Sequence, residues 1–78
     1  MIGRMGRPPT SEWGLRASAA GLDQKTLALL AGAHVTTVSR GLAGKFGAVS
    51  PGLCSVIIAW EQMTPMQREA WIAAVSDL

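Results

Sequence analysis

The chain has 78 residues, of which 49% are hydrophobic and 15% are charged, and its net charge is +2. This length allows one small domain with a modest core. A single cysteine, Cys54, excludes an internal disulfide, and together with the only histidine, His34, it offers too few ligands for a metal site. Apolar runs such as residues 56–60 are far shorter than the ~20 residues that a membrane-spanning helix needs.

The charges are unevenly distributed along the chain. Residues 1–50 contain six basic and two acidic residues, a net charge of +4, whereas residues 51–78 have a net charge of −2. The basic residues of the first part are Arg4, Arg7, Arg16, Lys25, Arg40 and Lys45. This polarity would present a positive surface to phosphates and keep the acidic end away from them.

Residues 1–9 are expected to form a flexible basic arm, because two glycines and two prolines within them disfavour a helix. Prolines rather than an apolar stretch follow Arg7, so these residues do not resemble a secretory signal. Arg4 and Arg7 are candidates for backbone or minor-groove contacts with DNA. The alternative is a disordered start whose charge is incidental.

The first predicted helix begins after a cap at Thr10 or Ser11 and runs to about Ala20, where Gly21 ends it. Residues 10–78 are thereby expected to form the folded domain.

Two short helical patterns follow, joined at Gly32. The second predicted helix covers residues 24–31 with Asp23 as its N-cap, and the third runs from about residue 35 to 43. Glycine suits a sharp turn between them because it adopts a left-handed backbone without steric cost. The small side chain of Ala28 lets the third helix cross close to the second. This pattern is typical of a helix-turn-helix and favours DNA binding.

The last two helices have clear start signals. Ser50-Pro51 is a cap followed by a proline at the first helical position, and this helix is predicted to continue to Met63. Residues 64–67, Thr-Pro-Met-Gln, form a capping box that starts the fifth helix. Strand signals are weak, so the predicted fold class is all-α with five helices.

Residues 21–40 resemble the lambda-repressor-like family of phage and bacterial regulators, which includes Cro and the Xre-type proteins. Members commonly begin the motif with a sequence like Gly-Leu-Ser-Gln, followed by Ala, Gly and Val or Ile at fixed spacings, often with Ser-Arg behind them. The matching residues here are Gly21, Leu22, Asp23, Gln24, Ala28, Gly32, Val38, Ser39 and Arg40. The resemblance covers about residues 13–50 and implies a compact five-helix DNA-binding domain.

Two residues depart from the family pattern. Gly41 stands where a large apolar residue is usual, so Leu42 is expected to fill that part of the core, somewhat as in Cro. Glycine costs about 1 kcal/mol relative to alanine inside a helix. Either close packing within the domain or close approach to DNA would explain a glycine at this position. The second departure is His34, which stands where Ser or Thr often caps the recognition helix.

The third helix provides the expected base-reading surface. Val38 and Leu42 point inward by helical spacing, which leaves an outer stripe at Val35, Thr36, Ser39 and Arg40. Arg40 can contact guanine O6 and N7 with two hydrogen bonds, and the methyl groups of Val35 and Thr36 suit thymine. A merely solvated arginine near the end of a helix is the alternative for Arg40.

The resemblance also implies that Gln24 hydrogen-bonds a phosphate at the start of the second helix. His34, Thr37 and Lys45 are further phosphate candidates. The alternatives are that Gln24 is only a first-turn helix residue and that His34 is only a turn residue.

The C-terminal helices are expected to form a homodimer, because a domain this small cannot bury all their apolar residues within one chain. Trp71, Val75 and Leu78 would form a seam on the last helix. In the alternative arrangement, Ile72 leads the interface and Trp71 closes the core of the monomer.

These features predict a cytoplasmic, dimeric DNA-binding regulator, such as a phage- or mobile-element-type repressor of an inverted-repeat operator. No cofactor, metal, small-molecule ligand or membrane partner is expected, and no enzymatic motif is found. The alternative function is a protein-interaction module, such as an antitoxin or co-regulator, whose apolar C-terminal helices bind a partner protein.

Overall fold

The computed structural model describes residues 11–44 and 48–78. Within these ranges the chain forms five α-helices and no strand, which confirms the predicted all-α class. The helices are α1 (Glu12–Ala19), α2 (Gln24–Ala31), α3 (Val35–Leu42), α4 (Pro51–Gln62) and α5 (Pro65–Ser76). None of the helices in the described part of the chain is long and apolar enough to cross a membrane. The predicted arm, residues 1–9, lies outside the described residues.

Each helix begins at a residue whose side chain accepts a hydrogen bond from a backbone N–H of the first turn. These residues are Ser11, Asp23, His34, Ser50 and Thr64. The predicted capping box of α5 is present: the Gln67 N–H donates to Thr64 Oγ1 at 3.2 Å, and the Thr64 N–H donates to Gln67 Oε1 at 2.8 Å. The starts of the helices therefore follow from local sequence.

The turn between α2 and α3 depends on Gly32. Its φ of +67° lies in the left-handed region, where other residues pay about 1–2 kcal/mol. The next residue, Ala33, donates its N–H to the Ala28 carbonyl at 2.9 Å, which closes the end of α2. The predicted hinge is thereby confirmed, and three residues, 32–34, separate α2 from α3.

The core surrounds α2, which contacts α3, α4 and α5, while α1 packs on α4. Leu27, Val38 and Ile57 are completely buried. The other buried hydrophobic residues are Ala17, Leu22, Ala28, Leu42, Leu53 and Trp60. The inward orientation predicted for Val38 and Leu42 is confirmed.

Gly41 is buried at the crossing of α3 and α4. A Cβ atom at this position would lie 3.2 Å from Cδ1 of Leu53, closer than ordinary van der Waals contact. Of the two explanations for this glycine, close packing therefore applies. Leu42, only 2% exposed, fills the neighbouring part of the core as expected.

An ion pair joins α1 to α4. Arg16 donates from Nη2 to Glu61 Oε1 at 2.6 Å and from Nε to Glu61 Oε2 at 3.1 Å, and its guanidinium stacks over the Trp13 ring at 4.2 Å. The hydrogen bonds lower the pKa of Glu61 and raise that of Arg16. Arg16 is thus engaged within the domain and does not belong to an outward basic surface, although it contributes to the positive charge of residues 1–50.

We expect Gly41→Leu to lower the free energy of unfolding by about 1–3 kcal/mol, because the new side chain overlaps Leu53. In a Leu53→Ala background the same substitution should cost less, since the space has been opened. Gly52→Leu is the control: a Cβ atom there meets nothing within 4 Å. Urea denaturation of the four variants measures this coupling, and an equal cost of Gly41→Leu in both backgrounds would contradict it.

Candidate nucleic-acid interface

The outer face of α3 is the candidate contact surface. Val38, Gly41 and Leu42 are buried on one side of this helix, and the opposite stripe is exposed. That stripe contains Val35, Thr36, Ser39 and Arg40, all exposed as predicted. An eight-residue helix with one buried and one free face can be laid against a partner without unfolding the domain.

The chemistry of this stripe suits an electronegative, hydrogen-bonding partner. Its middle and end offer the Ser39 hydroxyl and the Arg40 guanidinium, and α3 contains no acidic residue. Among the described residues, Arg40 is in no ion pair, so its donors are free for an external acceptor. An α-helix with its side chains is about 10–12 Å across, which matches the width of the major groove of B-DNA, about 12 Å.

His34 caps α3 through one of its two ring nitrogens. Nδ1 accepts the Thr36 N–H at 3.3 Å, and the ring is exposed. A nitrogen that accepts a hydrogen bond carries no proton, so the neutral ring carries its proton on Nε2. The imidazole thus replaces the hydroxyl cap usual in the resembling family, and Nε2–H stays available to a phosphate.

Gln24 is the first residue of α2. It is half-buried and lines a shallow groove between α1, α2 and α3, whose wall also includes Leu42 at the end of α3. The remaining lining residues are Gly14, Ala17, Ser18, Gly21, Leu22 and Asp23. Gln24 therefore shares a groove with the end of α3, whereas His34 caps the start of that helix.

Two charged residues beside Gln24 were not included in the predicted site. Asp23 Oδ1 accepts the Thr26 N–H at 2.7 Å, and this hydrogen bond lowers the pKa of Asp23. The carboxylate is therefore ionised at neutral pH and would repel a phosphate placed at Gln24. Lys25, exposed in the same turn, offers the opposite charge. Its position directly after Gln24 was the signal in the sequence that could have identified it.

Besides Gln24 and His34, one further predicted phosphate contact, Thr37, lies among the described residues. Thr37 is exposed on the flank of α3, where it lines an apolar groove with Leu30, Val38 and Val56. Arg4, Arg7 and Lys45 lie outside the described residues.

The predicted dimer residues do not share one environment. Trp71, Ile72 and Val75 are half-buried on the same face of α5 as Arg68, and the first two pack against the core. Leu78 is fully exposed. Trp71 and Ile72 therefore both help to close the monomer core, and each retains some exposed surface.

Within residues 11–44 and 48–78 there is no cluster of three or more side chains of the metal-binding types. No protein-family model, curated protein or solved structure matches this chain.

We expect Asp23→Asn to bind duplex DNA about two- to fivefold more tightly at low salt, because it removes a negative charge beside Gln24 and keeps the cap. Glu69→Gln makes the same charge change on an exposed part of α5 and should leave affinity unchanged. Fluorescence anisotropy with a labelled duplex measures both variants. Equal effects of the two substitutions would show that only net charge matters.

Proposed function

We propose that the chain is a sequence-specific DNA-binding regulator of the lambda-repressor-like type, with α2 and α3 as its helix-turn-helix. The observation that carries this proposal is the exposed stripe of α3, which follows a glycine turn and ends in Arg40, a residue with no ion-pair partner among the described residues. A buried opposite face holds this stripe rigidly on the domain. Rigid presentation of side chains is what base reading in the major groove needs.

In this function Arg40 reads guanine, since its planar guanidinium can donate to O6 and N7 together. Val35 and Thr36, nearer the start of α3, present methyl groups to thymine. Ser39, which precedes Arg40 on the same stripe, can act as a hydrogen-bond donor or acceptor. Together these residues favour a half-site that contains both guanine and thymine.

Phosphate contacts at both ends of α3 would set its register on the duplex. Gln24 stands at the positive end of the α2 dipole, which favours an anion. His34 supplies an Nε2–H donor at the start of α3. By sequence, Lys45, Arg4 and Arg7 would add positive charge to these contacts.

The test of base reading is a pair of substitutions at Arg40, using sites selected from randomised DNA. Arg40→Ala should lose about tenfold or more in discrimination between the selected site and unrelated DNA, because a bidentate contact contributes about 1–3 kcal/mol. Arg40→Lys should lose most of that discrimination as well, yet keep the salt dependence of wild type, since the charge remains. Wild-type discrimination by Arg40→Ala would refute the assignment of α3.

We further propose that the regulator acts in the cytoplasm as a homodimer on an inverted repeat, in the manner of a phage- or mobile-element-type repressor. The apolar surface at the C-terminal end of the chain supports the dimer, since Leu78, just after α5, is fully exposed and Val75 is only half-buried. A two-fold axis near α5 would place two α3 helices in successive major grooves, about 34 Å apart.

Sedimentation at micromolar concentration should show a dimer. Leu78→Glu should weaken it without harming the monomer fold, because this side chain contacts nothing in its own domain. Met66→Glu, at the opposite end of α5, is the matched control and should leave the dimer intact. A species that stays monomeric with and without DNA would contradict the dimer.

The same exposed residues favour a second candidate function, that of a protein-interaction module such as an antitoxin or co-regulator. Ile58 on α4, 40% exposed, is a further exposed apolar residue. A module of this kind would show little salt-dependent affinity for any duplex, whereas a DNA-binding regulator loses affinity steeply with salt.

A further inference from the structure

Arg68 is the only basic residue in the acidic C-terminal part of the chain, residues 51–78, and it points into the domain. Its Nε donates to the carbonyl of Trp60 at 3.0 Å, and its Nη1 donates to the carbonyl of Ala20 at 3.4 Å. The guanidinium also lies over the Trp60 ring, 4.7 Å from the ring centre. One side chain of α5 therefore contacts both α4 and the end of α1.

The carbonyl of Ala20 receives a second donor. Trp60 Nε1 donates to it at 2.9 Å. Ala20 is the C-cap of α1, where unpaired carbonyls form the negative end of the helix dipole. A cation and an indole N–H thus hold the last carbonyl of α1 in place.

Only three residues separate Ala20 from Gln24, and the turn they form is constrained. Gly21 has a φ of +77°, and Leu22 is 2% exposed and donates its N–H to the Ala17 carbonyl at 2.8 Å. Asp23 then caps α2. Each residue of the turn between Ala20 and the first turn of α2 is therefore restrained.

We propose that Arg68 is a positioning residue for DNA binding: by holding the Ala20 carbonyl, it fixes the first turn of α2 and the place from which Gln24 meets a phosphate. This inference rests on the proposed DNA-binding function. Under it, α5 contributes to DNA affinity without touching DNA, through Arg68, the Ala20 carbonyl and the turn that follows.

The first measurement needs no DNA. Arg68→Met keeps the apolar stem and removes the donors, so backbone amide shifts and hydrogen exchange should change at residues 21–25. Residues 36–40 of α3 should be unaffected. The matched control is Arg16→Met, which breaks the ion pair between α1 and α4 but leaves the Ala20 carbonyl alone. If Arg68→Met does not fold, Arg68→Lys serves, since it keeps the charge and loses the planar fork.

The second measurement is a double-mutant cycle in DNA affinity. Arg68→Met should weaken binding about three- to tenfold in the wild-type background and scarcely at all when Gln24→Ala is already present. The effects of Arg68→Met and Arg40→Ala on DNA affinity should be additive, because Arg40 lies on α3 and not in the helix turn that Arg68 is proposed to position.

The outcomes separate the two proposals. Unchanged amides at residues 21–25, or an additive cycle with Gln24→Ala, would overturn the role of Arg68 even though DNA binds. If the amides change but the wild-type protein binds no duplex, the proposed DNA-binding function is wrong, and so is the role of Arg68 in DNA binding. The contact between Arg68 and the turn would still be supported. Changed amide signals at residues 21–25 together with a non-additive cycle would support both the role of Arg68 and the DNA-binding function.

Discussion

The burial of α2 is the constraint on which the arrangement of the other helices depends. An isolated helix of eight residues is not stable in water, so α2 exists only because its neighbours cover it. Leu27 is completely buried and Ala28 is 5% exposed, while α3, α4 and α5 each pack against the helix. Burial of a leucine contributes about 1.5–3 kcal/mol, and the small Ala28 allows close approach. The helix that begins at the candidate phosphate contact is therefore also the centre of the core.

The orientation of α3 follows from two close contacts rather than from its own helical preference. The left-handed Gly32 sets the angle at which the chain leaves α2. At the far end, the missing side chain of Gly41 lets α3 approach Leu53 of α4. With Val38 buried between these points, the helix has no freedom to rotate about its axis, because rotation would expose Val38. The stripe that ends in Arg40 faces outward as a consequence of packing on the other side.

Much of the fold could be predicted from the sequence because its signals are local. Caps such as Ser50 and Thr64 act within one helical turn, and the hinge at Gly32 needs only its own backbone conformation. A capping imidazole at His34 was harder to anticipate, since it replaces the usual hydroxyl with a ring nitrogen.

Long-range polar contacts could not be predicted in this way. The partners Arg16 and Glu61 are 45 residues apart, and Arg68 and the Ala20 carbonyl are 48 apart. No periodicity or spacing couples such distant residues, so each arginine could equally have been solvated. The role of Trp71 was similarly open, because apolar residues surround most of α5 and periodicity alone does not choose a face.

The folded charge distribution limits how DNA could be bound. Arg16 is paired within the domain, and the ionised Asp23 opposes Lys25 in the first turn of α2. Each neutralised phosphate adds only about 0.9 to the salt slope, so the two outward cations of the described residues, Lys25 and Arg40, would give weak nonspecific affinity. Under the proposed function, base contacts along α3 must then supply most of the preference for the correct site. Under the same proposal, a homodimer would double these contacts on an inverted repeat.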